Sequence, residues 1–351
     1  MKDIYGGVRR GAYSPLICFA GHDFKFVDPY MSSLKKKGCL VIRDQWNWGA
    51  SPDRGRSRHC FEQAEILFCE WGLANALWYS KWNARKKPLY VRVHLQEIAE
   101  SAARFGRHIR HQNVTSFIFV SERVRREAIK MFGWPADKTV LIPNFVLTDE
   151  YSFGKREFNG TVKLGMVGTA PARKRLDRAV RLVELLLQNG VDARLFVKGH
   201  RPESMEFMKT RRRAKELEYY TRIYKQIGGD PQLKDRVVFD SWGNDVALWY
   251  ENIHFILSCS DFESFHYSIA DGISAGCHPV IWPWEDAETI YDPEWVVRDT
   301  AHAAARVMQL LELPDDVRHG IALGHREVRV RRYGYQKIFS RLNAVLGIGP
   351  A

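Results

Sequence analysis

Apolar positions along this chain fall into two alternating rhythms. In the first half, short runs rich in Val, Ile, Leu and Phe recur at P-L-I-C-F-A-G (15–21), C-L-V-I-R-D (39–44), A-E-I-L-F-C-E-W (64–71), L-Y-V-R-V-H (89–94), S-F-I-F-V-S (116–121) and T-V-L-I-P-N (139–144). The second half repeats the grammar with T-V-K-L-G-M-V-G (161–168), V-D-A-R-L-F-V-K-G (191–199), R-V-V-F-D (236–240), H-F-I-L-S (254–258) and H-P-V-I-W (278–282). Runs this short and this apolar read as buried strands. Between them apolar residues take helical spacing. Leu176, Val180, Val183 and Leu187 line one face of 175–190, and Asn189-Gly190 supplies a stop. Helices are also expected around Leu73–Trp82, between the N-cap Ser121 and the stop Gly133, within 260–279, and from Tyr333 to Leu346.

Strand–helix alternation predicts parallel α/β sheets. The expectation is two Rossmann-like domains facing a central cleft: 1–150, then 151–332, with 333–351 a helix packing back on the first domain. The polar, glycine-bearing stretch T-D-E-Y-S-F-G-K-R-E-F-N-G-T (148–161) reads as the linker. Ligands of open α/β sheets bind beyond the carboxyl ends of strands. The loops to watch are therefore Gly21–Phe26, His94–Glu97, Gly168–Lys174 and Ser258–Ser264.

Composition narrows the class. The chain has 351 residues, 45% hydrophobic and 27% charged, an ordinary globular balance for two domains. Asp3, Arg9 and Arg10 interrupt any signal-peptide core, and no apolar run approaches the roughly 20 residues of a membrane span. A cytoplasmic protein, or one peripheral to the inner face of a membrane, is expected. Six scattered cysteines without a C-x-x-C pair favour a reducing compartment, and no Cys/His cluster has zinc spacing. The net charge of +12 gathers at Lys35-Lys36-Lys37, Arg85-Lys86-Lys87, Arg211-Arg212-Arg213 and Arg326–Arg332. Such an excess attracts nucleic acid, anionic lipid or phosphorylated small molecules. No nucleic-acid motif is present, so a nucleic-acid partner is not expected.

Candidate chemistry centres on S-D-F-E-S-F-H-Y-S-I-A-D-G-I-S-A-G-C-H-P (260–279). Ser260 and Glu263 fit a capping box, in which case Phe265, Ile269 and Ile273 face the core and Asp271 faces out. The alternative is that Glu263 and Asp271 grip two ends of one ligand. Eight helical residues span about 12 Å, the reach from a sugar across a diphosphate to a ribose, and a helix N-terminus between the acids suits the diphosphate. Periodicity alone favours the capping box. D-F-E (261–263) is not read as a metal-binding D-x-D, and Ser258-Cys259-Ser260 shows no partnering base for nucleophilic work.

E-S-F-H-Y-S-I-A-D-G-I-S-A-G-C-H-P-V resembles the donor-site signature of retaining GT-B glycosyltransferases, glycosyltransferase family 4 above all. There a Glu, seven residues and a second Glu frame this helix. Departures are Ser264 and His266 where glycines are usual, and Asp271 for the second Glu. F-V-S-E-R-V with L-I-P-N-F resembles the family's S…P-N-G segment, with Phe145 at the glycine. V-G-T-A-P-A-R-K-R-L-D resembles its V-G-R…K-G-x-D loop, with Thr169 at the arginine, Arg173 nearby, Lys174 at the lysine and Asp177 at the aspartate. D-A-E-T-I places Glu288 at a further acidic position.

The resemblance implies a GT-B fold whose first domain binds a glycan, lipid-linked or small-molecule acceptor and whose second binds a nucleoside diphosphate sugar. It implies transfer with retention, a place in polysaccharide biosynthesis, no cofactor beyond the co-substrate, and no metal. Glu263 and His94 are the catalytic candidates it marks. Arg173, Lys174, Ser264, Phe265, His266 and Tyr267 would hold the diphosphate and Asp271 the ribose. Gly21, His22, Thr169 and Glu288 complete the set. Peripheral contact with an anionic membrane fits the charge. A silent sugar-nucleotide-binding module, or an epimerase or phosphorylase on the same fold, is the alternative. Glu263→Gln is expected to cause a large loss of activity with little loss of fold.

Overall fold

The computed structural model describes residues 15–49 and 53–349; Asp3, Arg9 and Arg10 lie outside them. The chain divides into two compact units. One runs up to Asn144 and resumes at Phe339, and the other spans Phe145–Ile338.

In the first unit, β1 (Leu16–Gly21), α1 (Asp28–Lys36), β2 (Leu40–Gln45), α2 (Arg54–Gln63), β3 (Ile66–Glu70), α3 (Ala74–Trp82), β4 (Leu89–Val93), α4 (Glu100–Gly106), β5 (Ser116–Phe119), α5 (Glu122–Phe132) and β6 (Thr139–Leu141) follow in order. The strands form one parallel sheet, ordered β2-β1-β3-β4-β5-β6. β3 and β4 are buried along their whole length, as continuous apolar runs require when helices cover both faces. Strand order reverses between β1 and β3. There a Cβ on Gly21 would stand 2.9 Å from the Glu70 carbonyl oxygen, so only glycine fits.

The second unit runs β7 (Val162–Val167), α6 (Leu176–Gln188), β8 (Ala193–Lys198), α7 (Ala214–Gly229), β9 (Val237–Asp240), α8 (Val246–Glu251), β10 (Phe255–Ser258), α9 (Tyr267–Ser274), β11 (His278–Ile281), α10 (Ala287–Ile290), α11 (Thr300–Leu311) and α12 (Asp315–Tyr333). Its parallel sheet is ordered β11-β10-β7-β8-β9. Here the reversal falls between β7 and β10, which pair through Phe255 and Leu164. The loops leaving these two strands therefore meet, and a ligand crevice belongs there.

The last helix, α13 (Tyr335–Leu346), crosses the division at Phe339. Beyond it the Tyr30 hydroxyl donates to Asn343 Oδ1 at 2.9 Å, and the Phe339 ring lies 5.2 Å from that of Tyr30. Segment 148–161 belongs wholly to the second unit. Arg156 Nη2 donates to the carbonyls of Tyr250 and Ala275 at 2.9 and 2.5 Å and so straps the end of α9. Among the described residues no helix is long and apolar enough to cross a membrane.

Gly272 sits where α9 presses on β10; a Cβ there would meet three Ile256 side-chain carbons at 2.9 Å. In an open helix Gly→Ala gains about 1 kcal/mol, but overpacking costs about 1–3 kcal/mol. Gly272→Ala is expected to lower Tm in differential scanning fluorimetry, and a raised Tm would mean that Ile256 gives way freely.

Candidate functional site

The loop after β7 turns tightly over Ala172–Lys174 and enters α6 through Arg175, whose φ of +58° is left-handed. The loop after β10 carries Cys259–His266. Arg175 ties the two together: Nη1 lies 3.0 Å from Asp261 Oδ1, while Nε and Nη2 reach the Asp177 carboxylate at 2.9 and 2.7 Å. Arg178 Nη2 adds a second cation to Asp261 at 2.9 Å, and the Asp261 N–H donates to the Arg173 carbonyl at 2.8 Å.

Glu263 is the centre of this junction. Its Oε1 accepts from Lys174 Nζ at 2.5 Å, Arg173 Nη1 at 3.0 Å and Ser260 Oγ at 2.8 Å. Its Oε2 makes no hydrogen bond among the described residues. The Glu263 and Lys174 side chains keep 8% and 15% of their exposure. Arg173 also donates to the Phe262 carbonyl at 2.6 Å and lies 4.7 Å over that residue's ring. His266 completes the cluster, with Nε2 at 3.2 Å from Lys174 Nζ and Nδ1 at 2.6 Å from Ser258 Oγ. An ammonium can only donate, so Nε2 is the bare nitrogen and Nδ1–H points to the serine.

Burial alone would raise the Glu263 carboxyl, but Lys174 and Arg173 outweigh it and hold it well below the carboxylate range. Burial, with Lys174 beside it, pushes His266 down to about 3, so the imidazole is neutral at pH 7 and the cations alone keep Glu263 ionised. Burial also lowers Lys174, against the pull of Glu263.

The capping-box reading fails. α9 begins only at Tyr267, and the Ser260 hydroxyl is spent on the Glu263 carboxylate. The residue before the helix is His266, at φ +59°. A left-handed non-glycine residue costs roughly 1–2 kcal/mol. Here the strain is offset by the His266 ring contacts and by the Tyr291 hydroxyl, which donates to the carbonyls of Phe265 and His266 at 2.7 and 3.0 Å.

The other candidates are placed as follows. Ser264 and Tyr267 are half-buried on either side of the turn, and Phe265 is buried against Tyr333 with ring centroids 5.3 Å apart. Thr169 is buried, its carbonyl accepting from the Tyr220 hydroxyl at 2.6 Å. Asp271 does not face out. It is half-buried in α9, and burial raises its carboxyl to about 7 although the Tyr151 hydroxyl bonds it. Glu288 is exposed on α10. Neither Asp271 nor Glu288 touches the Glu263 cluster among the described residues.

In the first unit, Gly21, His22 and His94 gather at the reversal point of their own sheet. His94 Nε2 lies 2.8 Å from Glu70 Oε1, which also accepts from Arg92 Nη1 at 3.0 Å. Burial would raise Glu70, and Arg92 and His94 bring it below the usual range. The Trp71 ring, on a backbone at φ +73°, packs at a tilt 4.2 Å from His94 and 5.0 Å from His22. Sequence reasoning passed over Glu70, Arg92, Trp71, Arg175 and Tyr291, and it set Ser258 aside for want of a partnering base, whereas His266 Nδ1 lies 2.6 Å from the Ser258 hydroxyl. Only the first two left a signal: a charge inside each of two otherwise apolar strands, in register with one another.

Among the described residues no three His, Cys, Asp or Glu side chains are grouped to hold a metal ion. Both acids of D-F-E are committed to cations, Asp261 to Arg175 and Arg178, Glu263 to Lys174 and Arg173.

Two parallel α/β sheets with these strand orders define a GT-B fold. No protein-family model matches the chain, and no curated protein is significantly similar in sequence. Solved structures are similar in fold. One is Anabaena HepE in complex with UDP and glucose, with a TM-score of 0.70 and 14% identity over 95% of this chain and 99% of that one. A UDP-forming α,α-trehalose-phosphate synthase from Burkholderia xenovorans has a TM-score of 0.71 and 11% identity over 97% and 100%. Sucrose-phosphate synthase from Thermosynechococcus elongatus has a TM-score of 0.71 and 14% identity over 95% and 98%.

The pairing alters what Glu263→Gln should do. It leaves Lys174 and Arg173 facing each other without a counter-charge, so the fold is not spared: a loss of about 2–3 kcal/mol is expected in urea denaturation, on the low side for a buried pair because Arg173 keeps 25% exposure. The sign in pH follows from the depressed carboxyl. Glu263 contributes fully above its ordinary value of 4.5, and that contribution is lost as pH falls from there toward its lower folded value. Wild-type stability should drop below pH 4.5, and the variant should lack that part of the slope. Equal stability of the two proteins at pH 7 would show that the pair contributes nothing.

Proposed function

We propose that this chain is a glycosyltransferase that moves a sugar from a nucleoside diphosphate sugar to an acceptor with retention of anomeric configuration, and that the second unit holds the donor. The observation that carries this reading is the divided Glu263 carboxylate: Oε1 is anchored by Lys174 and Arg173, while Oε2 keeps its lone pairs for sugar hydroxyls. The GT-B fold supports it, as does a neighbour of that fold, Anabaena HepE, solved in complex with UDP and with UDP-glucose.

Chemically, the departing diphosphate gains negative charge. Arg173, Lys174 and the first-turn N–H groups of α9 would stabilise that charge where water is largely excluded. In the free protein Glu263 already offsets one of the two cations, so the pocket is poised by a net single positive charge rather than two. Asp271, two turns from Glu263, would accept hydrogen bonds from the ribose. In retaining transfer the leaving phosphate oxygen can take the acceptor's proton, so no separate base is assigned. His94 keeps its proposed catalytic role as a neutral imidazole, since burial lowers it and Glu70 fixes its Nε2. The first unit is proposed to bind the acceptor.

Thermal shift with UDP, GDP, ADP, CDP and dTDP tests the donor site, because a ligand bound only by the folded state raises Tm by mass action. UDP is expected to stabilise the wild type, with or without EDTA, and Arg173→Gln to bind it at least tenfold more weakly. No shift with any nucleotide at millimolar concentration would sink the reading. Sugar transfer that requires an added acceptor separates a transferase from an epimerase or a silent binding module.

A carboxylate accepts two ribose hydrogen bonds where a carboxylic acid accepts less well. Since burial raises Asp271 to about 7, UDP affinity should fall as pH drops from 8 to 6, and Asp271→Asn should bind weakly at both. A pH-independent affinity in the wild type would remove Asp271 from the ribose.

A further inference from the structure

The first unit carries a surface that donor chemistry does not use. On α3, Trp78 and Trp82 stack with centroids 5.1 Å apart; Trp82 keeps 42% exposure, and Trp78 packs inward against Trp46 at 6.1 Å. Arg58 of α2 lies 4.8 Å over the Trp82 ring. The turn after α3 brings further cations to the same place. Asn83 is buried and clamps the Lys87 backbone at both its N–H and its carbonyl, while Lys87 Nζ donates to the carbonyls of Phe61, Glu62 and Ala64 at the end of α2. The turn is therefore pinned beside α2, with Lys81, Arg85 and Lys86 exposed around Trp82. None of Arg58, Lys81, Arg85 and Lys86 has a carboxylate within ion-pair distance among the described residues. The nearby acids Glu62 and Glu65 act on Lys87, the cation turned inward to cap α2.

We propose that this face docks the protein on an anionic lipid bilayer. Its parts match that solvent. Tryptophan prefers the headgroup level, where its ring is half in hydrocarbon and its edge is wet. Unpaired Lys and Arg beside it gain from the negative potential of anionic lipid, and long cationic side chains can lie along the apolar layer with their heads in the phosphates. The cations flank an exposed aromatic residue on the α2–α3 side of the unit and the turn after α3. A glycan strand would be held by hydrogen bonds to neutral polar side chains more than by a ring of unpaired cations about a tryptophan.

Co-sedimentation of the full chain with phosphatidylcholine vesicles, with and without phosphatidylglycerol, tests it. Binding is expected only to the anionic vesicles, and loss of binding at about 0.5 M salt, where the Debye length falls below roughly 5 Å. Arg85→Glu/Lys86→Glu, at exposed positions that take no part in the donor cluster, should keep the wild-type Tm and bind at least thirtyfold more weakly. Trp82→Ala should bind about tenfold more weakly. Equal binding to neutral vesicles, no binding to anionic ones at low salt, or a charge-reversed protein that binds like the wild type would each overturn the proposal. Capture by heparin or an oligonucleotide with the vesicles ignored would overturn it in favour of a polyanion site.

Discussion

One carboxylate, shared between two cations from a different loop, holds the second unit's site together. Glu263 leaves β10 and Lys174 and Arg173 leave β7, so their contacts at 2.5 and 3.0 Å close the crevice that the reversal of strand order opens. Every other feature of the site follows from keeping that carboxylate charged while nearly buried. The Arg175–Asp261 pair fixes the loop spacing, Ser260 fills a lone pair, and a neutral His266 avoids adding a third cation. A buried ion pair stabilises little by itself, because desolvation offsets attraction. What it supplies is specificity of arrangement, a fixed orientation for the oxygen left over.

Two of the left-handed residues show how the chain meets a backbone requirement without glycine. Arg175 and His266 stand at φ +58° and +59°, each at the entrance to a helix, where a side chain is disfavoured. His266, like Ser264 and Phe145, stands where the sequences this chain resembles carry a glycine, and of these three it alone is left-handed. Each side chain is bonded into the site, Arg175 to Asp177 and Asp261, His266 to Ser258 and Lys174. The strain is thereby balanced by contacts a glycine could not make. The first unit repeats the theme: Glu70 is buried between Arg92 and His94, next to Trp71 at φ +73°. Strained backbone of this kind gathers at working sites.

Much of the architecture was legible in the chain. All eleven strands of the described residues stand where apolar runs predicted them, because the inner strands of a parallel sheet covered on both faces must be nearly continuous in hydrophobicity. Several helices were not assigned, including α7 and α12. Their apolar stripes are thin and their charge is high, as in Asp315–Tyr333 with its run of arginines, so periodicity does not separate them from polar loops.

The site was legible by residue type and order: Glu263, Arg173, Lys174 and His266 were all candidates, and they converge. Their partnerships were not. Arg173 and Lys174 looked like free cations awaiting an anion, and Ser260 like a cap. Spacing in sequence constrains only neighbours within a helix or strand, whereas Lys174 and Glu263 are 89 residues apart and Arg92 and Glu70 are 22 apart. Sequence by itself determined which elements form and which chemistry is present. Tertiary structure decided which charge meets which, because that depends on how a reversal of strand order brings two distant loops together and on how far burial shifts each proton.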